Sequence, residues 1–568
     1  MGDATALPVP PAATSPTWEN PLDQPAAFQP HRKLKIVTVG AGFSALIFAH
    51  KLQHEHSEFQ DLVTHKIFES RNDIGGTWLV NRYPGVQCDV PAHVYAFPFD
   101  PNPDWSHFYA TGPEIHAYIK RIAKKWDLER DIHLNHKVVE AVWQEDLGQW
   151  KITVETEGRT FVDYADFLIS GQGVLNNWKW PNIQGLSDFK GYKCHSAAWD
   201  ETFDCSGKTV AVIGNGSSGV QIVPKVADLP DTKVISFQRS PNYVYSHVTP
   251  SKLLGRDDGL TNPAYTEDDK KRFREDKAFH REYRRKIIHS SNSMFKMFVK
   301  GSPENRKVSE SGRLQMAEKL HGDPDLCSKL IPTWGVGCRR ITPAEGYLEA
   351  FSKPNVQLVF NTVTRATEDS VITADGQSYK VDVIACATGF DVSWRPQWRM
   401  IGRNGVDLDQ QWKVDPRAYV SLAAADMPNY FIFLGPNAVA THGSLIESIN
   451  WTADYILKWL KKVATENIKS IVPKAPVIDQ LIEKGNKIHD KLVWTDSCTS
   501  WFKRNTQHGR VVAGFAGSAL LFRKLLQDIR PEDFEVEYWS DNQWDFLGNG
   551  FTKYELDPNN DLSWYIER

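Results

Sequence analysis

The sequence of 568 residues predicts an α/β fold with two Rossmann-like, dinucleotide-binding domains and a helical insertion in the second. Two stretches, KLKIVTVGAGFSALIFAHKLQ and GKTVAVIGNGSSGVQIVPKVAD, each pass from an apolar strand through a glycine turn into a segment of helical periodicity. The charged, periodic stretch DDKKRFREDKAFHREYRRKIIHSSNSMFKMFVK follows the second of them and indicates helices. The chain is too long for one compact core, so at least two domains are expected.

These elements divide the chain into four segments. Residues 1–33 are rich in Pro and Ala and predict a flexible N-terminal arm. Residues 34–190 predict the first part of the first nucleotide-binding domain, and residues 191–385 the second domain, with its helical insertion at about 253–330. Residues 386–568 predict the second part of the first domain, followed by a C-terminal segment.

Composition excludes several classes of function. A formal net charge of -4 with 24% charged residues does not indicate a nucleic-acid partner. Seven cysteines without a CxxC pair argue against a disulfide framework and a metal site, and for a reducing compartment. We find no signal peptide and no apolar run near the ~20 residues that span a bilayer, which predicts a soluble, cytoplasmic protein. The sequence does not fix an oligomeric state and is compatible with a monomer.

The first glycine turn, in VTVGAGFSA, has the G-x-G-x-x-A spacing of a dinucleotide site at Gly40, Gly42 and Ala45. Gly40 permits a tight turn, Gly42 lets the backbone approach a pyrophosphate, and Ala45 keeps the helix close to the strand. The phosphates would then lie at a helix N-terminus, where N–H groups are unpaired. Glu69 ends the next strand, and its carboxylate can accept hydrogen bonds from ribose hydroxyls, which suits FAD or NAD.

The second turn, in VIGNGSSGV, repeats this spacing, but its partner strand KVISFQRS ends in Arg239 and Ser240 where an NAD site would have an acid. A guanidinium and a hydroxyl suit a 2′-phosphate, so NADPH is favoured over NADH. The residues predicted to bind NADP here are Gly214, Asn215, Gly216, Ser217, Ser218, Gly219, Val220, Arg239 and Ser240.

Two dinucleotide sites in one chain predict a flavoenzyme, with FAD at the Gly40 turn as the redox centre and NADPH at the Gly214 turn as hydride donor. Two enzyme classes combine these cofactors: flavin monooxygenases and pyridine nucleotide–disulfide reductases. A reductase needs a close cysteine pair to accept electrons. The sequence offers none, which favours the monooxygenase.

Two further stretches, GGTWLVNRYPGVQCDVP and FKGYKCHSAAWD, carry a resemblance to a known family. They resemble the long and short fingerprints of the type I Baeyer–Villiger monooxygenases, which are class B flavoprotein monooxygenases. The segment GCRRITP is similar to the corresponding segment in the fungal branch of this family. The matching residues are Gly76, Trp78, Tyr83, Pro84, Gly85 and Asp89 in the first stretch, and Phe189, Gly191, His195, Trp199 and Asp200 in the second.

The resemblance implies a reaction in which NADPH reduces FAD and O2 adds to the flavin as a C4a-peroxyflavin. This species attacks a ketone and yields an ester or lactone. It also implies that Arg340 is the catalytic cation, with Asp89 beside it, and that Arg339 binds the 2′-phosphate. The family usually has lysine at this last position.

The resemblance implies further contacts. His195 and the rest of the short fingerprint are expected to have a conformational role, and Trp501 is expected in a mobile lid over the substrate. The expected FAD contacts are Thr77, Trp78, Leu79, Val80, Asp89, Tyr95, Gln172 and Leu445, and the further NADP contacts are Gln87, Cys88, Arg339 and Arg340.

The substrate is expected to be a small-molecule ketone, for which the fungal resemblance implies a polyketide or terpenoid of secondary metabolism. An alternative is a flavin monooxygenase of the same fold that oxygenates nitrogen or sulfur, epoxidises or hydroxylates. A third possibility is a non-catalytic NADP(H)-binding scaffold or redox sensor. Intact glycine turns and the Asp89–Arg340 combination argue against the third.

Overall fold

The computed structural model describes residues 23–246, 250–256, 259–439 and 441–566, and it contains two five-stranded parallel sheets. This confirms the predicted α/β fold. Most of the predicted N-terminal arm lies outside the described residues. No helix in the described ranges is long and apolar enough to cross a membrane.

The first sheet is built around the strand that leads into the Gly40 turn. In that strand, Leu34–Val39, the consecutive residues Ile36, Val37 and Thr38 are all buried, as expected for a parallel strand covered on both sides. The strand pairs with Val63–Phe68 from Leu34 opposite Val63. In spatial order the strands are Tyr430–Ile432, Phe167–Ser170, Leu34–Val39, Val63–Phe68 and Ile132–His133. Every residue of the following helix, Phe43–His50, is buried, and this helix packs on Leu445–Thr465.

The second sheet repeats the arrangement around the Gly214 turn. Strand Thr209–Ile213 pairs in parallel with Lys233–Phe237 on one side and with Val383–Cys386 on the other. In spatial order the strands are Val356–Val359, Lys233–Phe237, Thr209–Ile213, Val383–Cys386 and Tyr192–His195.

Three smaller sheets complete the fold. They are Arg399–Ile401 with Lys137–Gln144, Gln149–Thr156 and Arg159–Ala165; Val363–Ala366 with Ser370–Thr373 and Ser378–Lys380; and Ile468–Pro473 with Phe534–Tyr538. In the first, Lys137–Gln144, Gln149–Thr156 and Arg159–Ala165 form an antiparallel meander.

Helices fill the stretch between the strands Lys233–Phe237 and Val356–Val359, where the sequence predicts an insertion. Helix Glu267–Glu275 begins with a capping box of Thr266 and Asp269, which pairs N–H groups that the first turn leaves open. The α-helices of the described chain are Phe43–His50, Phe59–Leu62, Thr77–Val80, Gly112–Lys125, Ser217–Ala227, Pro250–Leu253, Glu267–Glu275, Lys277–Ser293, Pro303–Lys319, Pro324–Leu330, Tyr347–Ala350, Leu408–Gln411, Leu445–Thr465, Ala475–His489 and Ala519–Leu525.

A disulfide bond joins Cys338 to Cys498, with Cα atoms 6.1 Å apart. The prediction that the scattered cysteines form no disulfide framework did not anticipate this single bond. The two cysteines are 160 residues apart in sequence, so their spacing gave no signal. Both are buried and neither lines the cavity described below, so the bond does not revive the disulfide-reductase interpretation.

Candidate active site

A cavity of about 680 Å³ lies where the two glycine-turn regions approach each other. The Gly40 turn reaches it at the carboxyl end of strand Leu34–Val39, where ligands bind in open α/β sheets. Ser217 and Ser218, from the start of the helix after the Gly214 turn, also contribute to its wall. One cavity therefore contacts both predicted nucleotide sites.

The Gly40 turn has the geometry that a pyrophosphate needs. Gly40 has φ +100°, and a Cβ there would lie 2.7 Å from the carbonyl oxygen of Gly171, so only glycine fits. Glu69 accepts hydrogen bonds from the backbone N–H of Ala41 (2.8 Å) and Arg71 (2.9 Å), which fixes its carboxylate in the cavity wall. Gly40, Gly42 and Glu69 line the cavity. Ala45 is buried in the helix behind them and does not.

The Gly214 turn is equally tight, but its glycines do not line the cavity. A Cβ at Gly214 would lie 2.5 Å from the carbonyl oxygen of Ala387, and one at Gly219 would lie 2.0 Å from that of Gly214, whereas Gly216 has no atom within 4 Å. Gly216 is thus the position where a pyrophosphate can come close to the protein backbone. The predicted NADP residues that do not line the cavity are Gly214, Asn215, Gly216, Gly219, Val220, Arg239 and Ser240.

Arg239 and Arg339 form a cationic pair beside this turn. Arg339 donates from Nη1 to the hydroxyl of Ser240 (3.1 Å) and to the carbonyl of Pro241 (3.0 Å). Burial and the nearby charge of Arg239 lower the pKa of Arg339 to about 10. Neither arginine forms an ion pair within the described residues, so a doubly charged phosphate is the chemistry that would relieve their repulsion. This donor set fits the 2′-phosphate of NADP.

Asp89 and Arg340 form a two-pronged ion pair in the cavity wall. Arg340 donates from Nε to one carboxylate oxygen (2.5 Å) and from Nη2 to the other (2.7 Å). The charge of Asp89 raises the pKa of Arg340, which therefore stays cationic. The structure thus brings the two predicted catalytic residues into direct contact.

Most of the predicted FAD contacts also reach the cavity. The indole N–H of Trp78 donates to the Tyr95 hydroxyl (3.3 Å), and the side-chain carbonyl of Gln172 accepts from the backbone of Gln397 (3.3 Å). The Trp78 indole, the Tyr95 phenol and the Gln172 amide would offer aromatic and polar surfaces to the flavin of FAD. The predicted FAD contacts in the cavity wall are Thr77, Trp78, Asp89, Tyr95, Gln172 and Leu445, and the further predicted NADP contacts there are Gln87, Cys88, Arg339 and Arg340. Leu79 and Val80 are not among its lining residues.

The short fingerprint lies away from the cavity. His195 is fully buried, stacks on Trp178 with ring centroids 4.6 Å apart, and accepts at Nδ1 from the backbone N–H of Ala197 (3.1 Å). Burial lowers the pKa of His195 to about 4, so it is neutral at pH 7. A Cβ at Gly191 would lie 2.3 Å from the carbonyl oxygen of Asp382. These contacts are those of a packed junction. Phe189, Gly191, His195, Trp199 and Asp200 do not line the cavity.

Part of the cavity wall was not predicted from the sequence. Trp501, the predicted lid residue, lines the cavity, and several large apolar residues that were not predicted do so as well. These are Met294, Met297, Phe298, Phe390, Trp398 and Phe502. For Met294, Met297 and Phe298 the cluster MFKMF in the helical insertion was a local signal, because Met is common at adaptable binding surfaces.

The fold and cavity define a flavoprotein with two dinucleotide-binding regions. The chain matches the family described as flavin-binding monooxygenase-like over residues 33–252. It is 41% identical to the FAD-binding monooxygenase tazF of Aspergillus terreus over 94% of this chain and 95% of that protein. It is 31% identical to a Baeyer-Villiger monooxygenase of Pseudomonas aeruginosa, over 89% of this chain and 92% of that one.

Solved structures show the same fold. Cyclohexanone monooxygenase in its closed form superposes with a TM-score of 0.76 at 25% identity, over 89% of this chain and 99% of that chain. The enzyme from Rhodococcus sp. Phi1 bound to NADP+ gives 0.75 at 26% identity, with the same coverage. The chain therefore belongs to the flavin-binding monooxygenase family that includes the Baeyer–Villiger monooxygenases. The predictions of a monooxygenase and of FAD as its cofactor are confirmed.

Proposed function

We propose that this enzyme uses NADPH and O2 to convert a ketone into an ester or lactone. The observation that carries the proposal is the Asp89–Arg340 pair in the wall of a cavity shared by both glycine-turn regions. FAD reduced by NADPH would supply the activated oxygen in this cavity. A fixed cation beside the reacting carbonyl is what the chemistry requires of the protein, because negative charge develops on oxygen.

Arg340 is suited to this role for two reasons. Its charge is permanent, since Asp89 raises its pKa, so it needs no proton from solvent. Asp89 occupies Nε and one N–H of Nη2, which fixes the plane of the guanidinium and leaves its other N–H donors to face a ligand oxygen. The cation is thus oriented before substrate binds, and little reorganisation is needed during reaction.

The apolar part of the wall supports a bulky ketone as substrate. Met294, Met297, Phe298, Trp501 and Phe502 present thioether and aromatic surfaces, which bind apolar ligands and exclude water. Exclusion of water protects a reactive oxygen donor from wasteful proton transfer. A polyketide or terpenoid ketone of secondary metabolism has the size and apolar surface that such a wall accommodates.

The test is product analysis with a panel of bulky cyclic ketones, an NADPH-regenerating system and the FAD-loaded enzyme. Carbon NMR distinguishes the outcomes, because an ester or lactone carbonyl differs from a hydroxylated or epoxidised ketone of equal mass. Ester or lactone formation supports the proposal. Oxygenation of amine or sulfide substrates with no ester from any ketone would replace it by the nitrogen- or sulfur-oxygenating alternative.

A further inference from the structure

The helix that follows the Gly214 turn, Ser217–Ala227, docks onto the long-fingerprint loop through one buried amide. Gln221 is 5% exposed. Its side-chain oxygen accepts from the Tyr83 hydroxyl (2.9 Å) and from the backbone N–H of Gln87 (3.5 Å), and its side-chain nitrogen donates to the carbonyl of Gln87 (3.1 Å). The amide therefore pairs with both backbone groups of Gln87, much as a neighbouring strand would.

The contact between helix and loop is close. Gly85 has φ +82°, and a Cβ there would lie 2.7 Å from the backbone carbonyl oxygen of Gln221. The Ser218 hydroxyl also hydrogen-bonds the Tyr83 phenol, and burial raises the pKa of Tyr83 to about 12. Tyr83 and Gly85 of the long fingerprint thus hold this helix against the loop, Tyr83 by hydrogen bonds and Gly85 by allowing close backbone contact.

The other side of the loop is held as well. Cys88 donates its backbone N–H to the carbonyl of Ala110 (3.0 Å), and Gly112 donates to the carbonyl of Val86 (2.8 Å). The loop is thus sandwiched between the backbone of residues 110–112 and the helix that carries Gln221. A shift of that helix is therefore transmitted to the loop as a strain or a lost hydrogen bond.

The loop leads directly to the ion pair of the cavity wall. Asp89 lies two residues after Gln87 and holds Arg340, while the N-terminal residues of the helix, Ser217 and Ser218, lie where the phosphates of NADP are expected. We infer that Gln221 is a positioning residue that couples the NADP(H) site to the Asp89–Arg340 pair. The inference rests on the proposed function for its catalytic consequence, but the docking can be measured without any ketone.

The test uses the FAD-loaded full-length enzyme with Gln221→Leu, which keeps similar volume and removes all three hydrogen bonds. NADP+ is the probe. Its binding is measured by calorimetric titration and by the change that it causes in flavin absorption. Titration should give a dissociation constant within about threefold of wild type, because Arg239, Arg339 and the glycine turn are unchanged. The change in flavin absorption should be altered. The amount of ester formed per NADPH oxidised should fall at least about fivefold, with hydrogen peroxide formed instead.

Gln221→Glu separates coupling from mere packing. The ionised carboxylate still accepts from Tyr83 but repels the carbonyl of Gln87, whereas the protonated acid donates to that carbonyl again. Burial raises the pKa of such a carboxyl group, so ester yield and the absorption change should recover as pH falls from 8 to 6. Gln221→Leu should show no such recovery.

Gln357→Leu is the matched control, because Gln357 is an exposed glutamine on strand Val356–Val359 of the second sheet, outside the contact between helix and loop. It should behave as wild type. If Gln221→Leu fails to fold, Tyr83→Phe, which removes one of the three hydrogen bonds, carries the same measurements. Wild-type absorption changes and yields in both Gln221 variants would overturn the inference. If wild type forms no ester but the absorption change still depends on Gln221, the coupling stands and the proposed ketone reaction fails.

Discussion

Asp89 and Arg340 lie 251 positions apart in the sequence and are joined by two hydrogen bonds of 2.5 and 2.7 Å. Asp89 belongs to the long-fingerprint loop, and Arg340 follows the helical insertion. The pair therefore depends on the relative position of two distant parts of the chain. A change in either part alters the orientation of the cation in the cavity.

Replacing Arg340 should separate oxygenation from cofactor binding. Arg340→Ala should retain FAD and oxidise NADPH, but ester formation should fall at least about 100-fold, since a preorganised cation at developing charge is worth several kcal/mol. Arg340→Lys keeps the charge but loses the planar guanidinium that binds Asp89 with two hydrogen bonds, and it should recover only part of the rate. Ester yield per NADPH measures the effect. Arg399→Ala, at the exposed ion pair with Glu140, is the control and should form ester as wild type does. Full ester formation by Arg340→Ala would contradict the catalytic role of Arg340.

Replacing Arg239 should change the choice of nicotinamide cofactor. Arg239→Ala should raise the KM for NADPH by about 10-fold or more and leave that for NADH nearly unchanged, because a charge-assisted hydrogen bond to the 2′-phosphate is lost. Steady-state kinetics with both cofactors gives the ratio. Lys233→Ala, an exposed lysine at the other end of the same strand, should leave the ratio as it is. Equal effects of Arg239→Ala on both cofactors would contradict a phosphate role.

Two glycines of the second turn should respond differently to alanine. In Gly219→Ala the new Cβ meets the Gly214 carbonyl oxygen at 2.0 Å, so the protein should lose about 1–3 kcal/mol of stability. Gly216→Ala meets no atom within 4 Å and should leave the thermal midpoint unchanged, while weakening NADP+ binding at least about 10-fold because the methyl occupies the path of the pyrophosphate. Thermal unfolding and NADP+ titration distinguish the two. Wild-type NADP+ affinity in Gly216→Ala would show that the phosphates bind elsewhere.

Acid should destabilise the protein through buried histidines, of which His50 is a clear case. His50 stacks on Phe99 with ring centroids 3.5 Å apart, and neither of its nitrogens has a hydrogen-bond partner in the described chain. Burial lowers its pKa from 6.5 to about 4. Between those pH values the unfolded chain binds a proton that the folded chain does not, so stability falls as pH falls through this window.

His50→Phe should remove this part of the acid sensitivity. Between pH 7 and pH 5 the variant should lose about 2 kcal/mol less stability than wild type. Thermal midpoints at the two pH values provide the comparison. His508→Phe, at an exposed position, serves as the control and should keep the wild-type dependence. An unchanged dependence in His50→Phe would mean that the ring is protonated in the folded protein.

Local spacing predicted the two glycine turns, because each needs only a strand, a turn and a helix that are consecutive in the chain. The positions of Gly40 and Gly214 follow from that spacing, and both have the positive φ that only glycine adopts easily. Glu69 and Arg239 could be assigned for the same reason, since each ends the strand after its turn. The Asp89–Arg340 contact came from a family resemblance and not from any local rule.

Contacts between distant segments had no such local signal. Cys338 and Cys498 pair because the folded chain brings them together, while their sequence spacing resembles that of unpaired cysteines. Gln221 looks like an ordinary polar residue in an amphipathic helix, and its role is visible only once the backbone of Gln87 lies against it. The apolar cavity wall likewise combines the insertion with the C-terminal segment, which no periodicity in either one reveals.

The Cys338–Cys498 bond ties the chain near Arg340 to the chain near Trp501, two residues that line the cavity. Arg340 lies two residues beyond one end of the bond, and Trp501 lies three residues beyond the other. With Cα atoms of the cysteines 6.1 Å apart and at most ~3.6 Å gained per extended residue, the Cα atoms of Arg340 and Trp501 cannot separate by more than about 24 Å. The bond therefore limits how far the Trp501 segment can move away from Arg340.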